Sequence, residues 1–387
     1  MAARYTAPEM LEKLVAFPSV STESNLPIIG FIQNYLSKHG VESFRVYDST
    51  GLKSNLYAQI GPNVEGGVIL SGHTDVVPVV GQEWNTDPFV LTEIDGKLFG
   101  RGSCDMKGFL ATGLALVPDM LAADLKFPIQ FAFSYDEEVG CLGAPFMIDE
   151  MLDKLPKARA VIVGEPSLMR VVTGHKGSVG FTTHVHGFEI HSSLMHEGVS
   201  ATMTAARLVE WLRQQFETAK AGEPNEVDAI FEPPFTTLHV GILNGGTASN
   251  ITAKDCYFTT DIRCPPSQNP MDWFAKYMEF VQKVEVEIQA IIPDARIEVT
   301  PPNVPNPGLK PETNGEAERL SRQITGDNGT HVVSYGTEAG QFQREEYSVV
   351  VCGPGNIEQA HQPNEFIAVS ELAAGVDFIR KLIEKLS

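Results

Sequence analysis

The sequence predicts an α/β protein of two domains, with the smaller inserted into the larger. Three observations carry this. From residue 8 to residue 165, apolar runs of strand length alternate with helical patterns, which argues for helices packed on a largely parallel sheet. Between about 174 and 300 the order becomes β-α-β-β-α-β, the ferredoxin-like split unit. The run Pro301-Pro302-Asn303-Val304-Pro305-Asn306-Pro307 then reads as a linker, and 308–387 return to α/β character. The expected domains are therefore 1–173 with 301–387, and 174–300.

The elements follow in order. Residues 8–17 are an amphipathic pattern with Pro8 at its start, and a second helix is expected over about 26–39, closed by Gly40. Strands are expected at 43–47, 55–60 and 67–71. A long loop over 79–100 carries two short strands, 89–94 and 97–100. The run Gly100-Arg101-Gly102-Ser103-Cys104-Asp105-Met106-Lys107-Gly108 opens a helix over 107–123. Buried strands at 128–135 and 158–164 exit into Asp136-Glu137-Glu138 and Glu165-Pro166-Ser167. In the insert, strands at 177–186, 236–243, 255–263 and 295–300 surround helices at about 200–219 and 270–289. A helix over 370–386 ends the chain.

Length and composition bound the function. A chain of 387 residues is long for one core. Hydrophobic content of 43% with 20% charged residues fits a soluble globular protein. A net charge of -20 and a pI near 4.9 argue against nucleic acid or anionic membrane as partners, since both need basic surface. The five cysteines, at 104, 141, 256, 264 and 352, are odd in number and contain no C-x-x-C pair. That indicates neither a disulfide framework nor a zinc ribbon, and reduced thiols point to the cytoplasm. The N-terminal residues have no apolar leader pattern, and no stretch has the length of a membrane span.

Chemistry-bearing residues gather at the strand exits. Ser71-Gly72-His73-Thr74-Asp75 follows a short buried strand, and ligands bind at the carboxyl edge of open α/β sheets. Residues two apart on extended chain share a face, so Asp75 is placed to hold one ring nitrogen of His73 while the other binds a metal. A strand-end histidine capped by a carboxylate, without metal, is the plainer reading of that stretch alone. Asp105, Glu138, Glu165 and His361 extend it to two histidines and three carboxylates. That is the mixed N/O set of a two-zinc hydrolytic site, or of cobalt or manganese in its place. Five residues for two ions require one bridging carboxylate, and Asp105 on its glycine-flanked turn suits that role. Glu137 and Glu138 point to opposite sides if extended, so one can bind metal while the other serves as a base on metal-activated water. A solvated acidic turn is the bland alternative. Cys104 has no base paired with it by any sequence feature and reads as a small buried thiol.

Together the motifs are specific. Ser-Gly-His73-Thr-Asp75, Gly-Arg-Gly-Ser-Cys-Asp105-Met-Lys-Gly, Asp-Glu137-Glu138-Val-Gly, Gly-Glu165-Pro-Ser and His361-Gln-Pro-Asn-Glu occur in the order of the acetylornithine deacetylase / succinyl-diaminopimelate desuccinylase family. The chain resembles these di-zinc aminoacylases and exopeptidases from about residue 10 to its end. The resemblance implies that His73, Asp105 and Glu165 bind one zinc and that Asp105, Glu138 and His361 bind the other. Glu137 would then be the general base and Asp75 the residue that orients His73. It further implies a lid, often a dimerisation domain, in which His191 of Glu189-Ile190-His191-Ser192-Ser193 stabilises the oxyanion. His186 and His196 are competing candidates for that role. Asn250 of Gly245-Gly246-Thr247-Ala248-Ser249-Asn250 resembles a substrate contact, and Arg263 of Asp261-Ile262-Arg263 a grip on the substrate α-carboxylate. A bidentate guanidinium suits a carboxylate; an ordinary surface ion pair is the alternative for Arg263.

Within the family, Tyr335-Gly336-Thr337-Glu338-Ala339-Gly340-Gln341-Phe342 resembles the acetylornithine-deacetylating branch, where the desuccinylases carry a Gly-Thr-Ser/Thr-Asp type of run. The implied reaction is removal of acetate from N2-acetyl-L-ornithine in arginine biosynthesis, by a homodimer loaded with two Zn2+ or with Co2+. Glu338 is then the expected partner of the substrate's side-chain ammonium, at the far end of the pocket; a helix-start acid is the alternative. Desuccinylation, general aminoacylase or dipeptidase activity share the chemistry. A non-catalytic carrier or scaffold with the same fold is the alternative of a different class, and a complete set of ligands and base argues against it.

Overall fold

The computed structural model of the protein describes residues 3–21, 23–300 and 305–387. It divides into two units. The first takes the described residues up to Gly174, then Pro311–Val332 and Thr337–Ser387. The second takes those between His175 and Lys310, with Val333–Gly336. Of the expected linker, 301–304 lie outside the described residues. Residues 305–310 group with the second unit because their backbone is paired there. Asn306 exchanges hydrogen bonds of 2.8 and 3.0 Å with Ser178, and Leu309 bonds of 3.1 and 3.0 Å with His175.

Among the described residues, an eight-stranded sheet forms the first unit's centre. Its order is Ser43–Tyr47, Ser54–Ile60, Ile129–Ser134, Val68–His73, Ala160–Pro166, Val349–Gly353, Val172–His175 and His331–Val333. Val68–His73 is parallel to both neighbours, and Ala160–Pro166 is parallel to Val349–Gly353. Ser43–Tyr47, Ser54–Ile60 and Val172–His175 pair antiparallel. The sheet is therefore mixed, not largely parallel. A parallel pair needs a long crossover, and the short turn between Ser43–Tyr47 and Ser54–Ile60 permits only an antiparallel one. The four central strands are buried along their whole length, so they read as continuous apolar runs without alternation.

Helices cover this sheet. Ala7–Val15 starts with a capping box, in which Thr6 and Glu9 satisfy each other's backbone N–H groups. The helix expected over 107–123 is two, Lys107–Ala115 and Val117–Ala122, because Pro118 has no N–H to continue the ladder. Ala144–Lys154, which the sequence reading omits, has Pro145 in its first turn. Val369–Leu386 closes the chain and buries Leu372, Phe378, Ile379 and Leu382 in the same core.

The second unit has its own core. Its antiparallel sheet has the order Thr237–Gly245, Asp255–Cys264, Gly177–His186, Arg296–Thr300. With helices Ala201–Ala221 and Pro270–Gln289 this is the expected β-α-β-β-α-β order. Gly177–His186 alternates as a half-covered strand should: Val179, Phe181, Thr183 and Val185 are buried, while His184 and His186 stand on the other face. Thr183 meets the Tyr277 hydroxyl at 2.7 Å inside the core.

Candidate active site

Parallel strands deliver their ends to one edge of the sheet. His73 ends Val68–His73, and its register partner Ser134 ends Ile129–Ser134. The chain after Ser134 turns at Asp136, whose φ of 55° is a left-handed conformation that aspartate tolerates. Lys53 holds Asp136 at 2.5 and 2.7 Å. Glu137 and Glu138 follow directly. Glu165 lies near the end of Ala160–Pro166, and Asp105 sits just before helix Lys107–Ala115. Close packing of that helix on the sheet requires glycine at two points. A Cβ on Gly164 would lie 2.0 Å from the Phe109 ring, and one on Gly72 2.5 Å from Met106 Cε.

These residues form one cluster. His73 Nε2 lies 3.0 Å from Asp105 Oδ1 and 3.8 Å from Glu165 Oε1. His361 Nε2 lies 3.3 Å from Asp105 Oδ2 and 2.8 Å from Glu138 Oε2. The two oxygens of Asp105 thus face different imidazoles. His73, Asp105 and Glu138 form one group of closely spaced ligand atoms, and His73, Glu137 and Glu165 form another. Glu137 also takes the Cys141 thiol at 3.2 Å.

The electrostatics explain the arrangement. Burial pushes Glu137 up to about 8 against the pull of His73, and the neighbouring acids add to the rise. Burial and the Asp105 charge push Glu138 up to about 7. Burial, Asp105 and Glu137 raise Glu165. Burial opposes ionisation of Asp105 too, but hydrogen bonds from His361 and His73 hold it below the usual carboxylate range. Hydrogen bonds to Asp105 and Glu138 raise His361 to about 10. His73 is raised as well: burial works against its charge, and Asp105 and the nearby acids outweigh burial. Four carboxylates in a dry pocket cannot all ionise without cations beside them. Two protonated imidazoles supply only part of that charge. Glu165 Oε1 is buried with no hydrogen-bond partner, an acceptor left open in the pocket. The donor set therefore fits divalent ions with mixed N/O ligation.

A surrounding layer positions the cluster, and here the structure departs from the sequence reading. His73 Nδ1 is 2.9 Å from the backbone carbonyl of Asp75 and 3.7 Å from its carboxylate. The Asp75 carboxylate instead accepts from Ser21 Oγ at 2.8 Å and from the amides of Glu137 and Glu138 at 3.2 and 3.3 Å. It anchors the turn bearing Glu137, and the backbone orients the imidazole.

Glu338 requires a correction. It is not at the far end of a substrate pocket. It is fully buried, and its two oxygens accept from Ser71 Oγ at 2.6 Å and Ser134 Oγ at 2.7 Å. Ser71 and His73 share a strand face, so Glu338 supports the strand ends from within the core.

Glu365 ends the run His361-Gln362-Pro363-Asn364-Glu365 and holds the Asp105 loop. Its carboxylate accepts from the amides of Gly102, Cys104 and Asp105 at 2.9–3.0 Å and pairs with buried Arg101 at 2.7 Å. It shapes the loop that presents Asp105. Its place four residues after His361 is legible in the sequence, while its partners, about 260 positions away, are set by the fold. Cys104 is buried, with its thiol 3.4 Å from the Asn356 carbonyl, and burial pushes the thiol pKa far up, as expected of an inert thiol.

The remaining expected residues belong to the second unit. His191 is exposed, its Nδ1 2.8 Å from Ser193 Oγ. Its segment pairs with that of Asn250: Ser192 N donates to the Asn250 carbonyl at 2.8 Å, and His191 bridges Ile251. Arg263 is half-exposed and paired with Asp261 at 3.0 Å. His196 is exposed beside Glu197, and His186 belongs to a separate cluster on its own sheet.

Comparison with known proteins agrees with this architecture. A relative named acetylornithine deacetylase from Myxococcus xanthus is 35% identical over 367 residues, covering 94% of this chain and 92% of the relative. A protein of the same name from Proteus mirabilis is 31% identical, covering 97% and 95%. Among solved structures, an M20 family metallo-carboxypeptidase from Sulfolobus solfataricus superposes with a TM-score of 0.78 at 19% identity, covering 99% of both chains. A dinuclear metal binding peptidase of the M20 family from Bacillus subtilis superposes with a TM-score of 0.62 at 16% identity, covering 98% and 97%. The family model described as peptidase family M20/M25/M40 matches residues 69–385. The chain belongs to that family and is one of its hydrolases.

Proposed function

We propose that the chain is a metal-dependent amide hydrolase that removes acetate from N2-acetyl-L-ornithine, giving L-ornithine for arginine biosynthesis. The observation that carries the hydrolytic reading is the cluster in which buried Asp105 turns one oxygen to buried His73 and the other to His361 at the exposed side. The names of the relatives support the substrate. In this reading His73, Asp105 and Glu165 hold one divalent ion, and Asp105, Glu138 and His361 hold the other. Zinc suits the N/O donors best, and cobalt substitutes. Two such ions, when bound, supply the Lewis acidity that polarises an amide carbonyl and acidifies water.

The chain's own groups do the rest. Glu137, whose backbone amide is held by the Asp75 carboxylate beside His73, takes a proton from the attacking water and returns it to the α-nitrogen as the C–N bond breaks. Asp75 fixes the Glu137 backbone, and the Asp75 carbonyl orients His73. Glu365 holds the Asp105 loop. In the second unit, which we read as the lid and dimerisation domain, His191 stabilises the oxyanion, Asn250 contacts substrate and Arg263 grips its α-carboxylate. The proposed working form is a cytoplasmic homodimer. Among the described residues no helix is long and apolar enough to cross a membrane.

A substrate panel in the presence of zinc or cobalt tests this. It compares acetylornithine, acetylmethionine, succinyl-diaminopimelate and a dipeptide. The expected outcome is the highest kcat/KM on acetylornithine. Preference for the succinyl substrate or the dipeptide would assign the chain to another activity of the family.

A further inference from the structure

We propose that the second unit carries a metal site of its own, formed by His184, His186 and Glu298, which takes a zinc-type divalent cation. The three residues offer ligand atoms within 4.8 Å of one another. They come from two adjacent strands, Gly177–His186 and Arg296–Thr300, in which Glu298 is the register partner of His184. Asp255, on the strand at the other side, is the register partner of His186. Residues 184 and 186 are two apart on extended chain, so both imidazoles stand on the face that the helices leave uncovered. Their ring centroids are 3.8 Å apart.

The hydrogen-bond pattern matches a ligand set. Asp255 Oδ1 is hydrogen-bonded to Nε2 of His184 at 3.0 Å and lies 3.4 Å from Nδ1 of His186 as an ion-pair contact. A proton on Nδ1 of His186 directed at Asp255 leaves a lone pair on Nε2. That atom is buried and lacks a hydrogen-bond partner, although Glu298 Oε2 is only 3.1 Å away. His186 Nε2 and Glu298 Oε2 form a close pair at the open face of the sheet, a spacing at which the two atoms can share a proton or, once the proton is displaced, an ion. A carboxylate behind a ligating imidazole is the usual support in metal sites, and Asp255 occupies that position. Arg296 Nε donates to Glu298 Oε1 at 2.7 Å, which orients the carboxylate and leaves Oε2 for the metal. Two imidazoles and a carboxylate, with an open side for water, favour zinc over the oxygen-seeking calcium or magnesium. An ion held there ties the edge strand Arg296–Thr300 to the centre of its sheet.

The site is independent of the cluster in the first unit, and its test does not read activity. Purified full-length chain is stripped of metal and dialysed against a buffered free-zinc concentration that saturates the wild type. Zinc per chain is then measured for the wild type, for the double variant His184→Asn/His186→Asn, and for Glu298→Gln. The expected result is that the double variant binds one zinc fewer per chain, and that Glu298→Gln loses the same equivalent or holds it more weakly. Glu298→Gln alters an exposed side chain and keeps the reading usable if the double variant does not fold. As a second measurement, zinc added to the wild type should shift the imidazole nitrogen resonances of His184 and His186. Equal zinc content in all three proteins, or unshifted His184 and His186 resonances at saturation, overturns the proposal.

Discussion

At Asp105 a single carboxylate is turned to two imidazoles, and its neighbours Glu137, Glu138 and Glu165 are held in a pocket too dry for all to be charged. Such a group of acids is costly to bury and is expected where it works on an ion or a proton. Replacing Glu137 with alanine should lower turnover by a factor on the order of 10²–10⁴. Bound metal should stay near the wild-type amount. Kinetics with metal analysis of the same sample checks this, and full activity in the variant would remove Glu137 from the reaction. Glu338 plays a different part. Its charge is met by two hydroxyls beneath the strand ends, not by substrate. Glu338→Gln should destabilise the chain by about 1–3 kcal/mol and shift KM alike for acetylornithine and acetylmethionine. A rise confined to acetylornithine would return Glu338 to the substrate pocket. His175 is buried and neutral, with burial pushing it down to about 4 from 6.5. Its unfolded form binds protons in that interval while the folded form does not. Its contribution to stability is therefore complete above 6.5 and is lost as pH falls towards 4, at up to about 1.4 kcal/mol per pH unit. In His175→Gln the loss of stability between pH 6.5 and 4.5, followed by urea unfolding, should be smaller than in the wild type.

At the level of elements, the site depends on how closely helix Lys107–Ala115 approaches the sheet. Gly164 makes that approach possible, with Phe109 where a methyl group would sit. Gly164→Ala should cost about 1–3 kcal/mol through overpacking, read as a lower urea midpoint. An unchanged midpoint would mean that the helix can move away without penalty. The loop before this helix is held from a distance, since Glu365 accepts three of its amides. Sequence reasoning recovers these elements where the signal is local. Wholly apolar strands and the helix opened by Pro8 follow from neighbouring residues, whereas Ala144–Lys154 is missed. It misjudges 107–123 as one helix and the sheet as largely parallel. Pro118 acts at a single position inside an apolar run, and strand direction is set by connections that an apolar run does not reveal.

For the whole molecule, the two units have separate cores, one around the eight-stranded sheet and one around Val185, Phe258 and Tyr277. If His191 acts across the boundary of the proposed homodimer, its role and that of Glu137 fall on different subunits of one site. A mixture of inactive His191→Ala and inactive Glu137→Ala chains, dissociated and reassociated, should then recover part of the wild-type activity. A mixture that stays inactive would mean that each subunit completes its own site. The sequence by itself determined the α/β class, the inserted β-α-β-β-α-β unit and the polar residues at the strand ends. These rest on periodicity and on the contrast between an apolar strand and a His, Asp or Glu at its exit. Only the tertiary structure decided that Asp75 anchors the Glu137 turn, that Glu365 clamps the Asp105 loop, that Glu338 is buried, and that His184, His186 and Glu298 meet on one sheet face. The physical reason is common to all four. Each is a side-chain contact between segments far apart in the chain, set by strand register and helix packing, to which no local pattern of residues is sensitive.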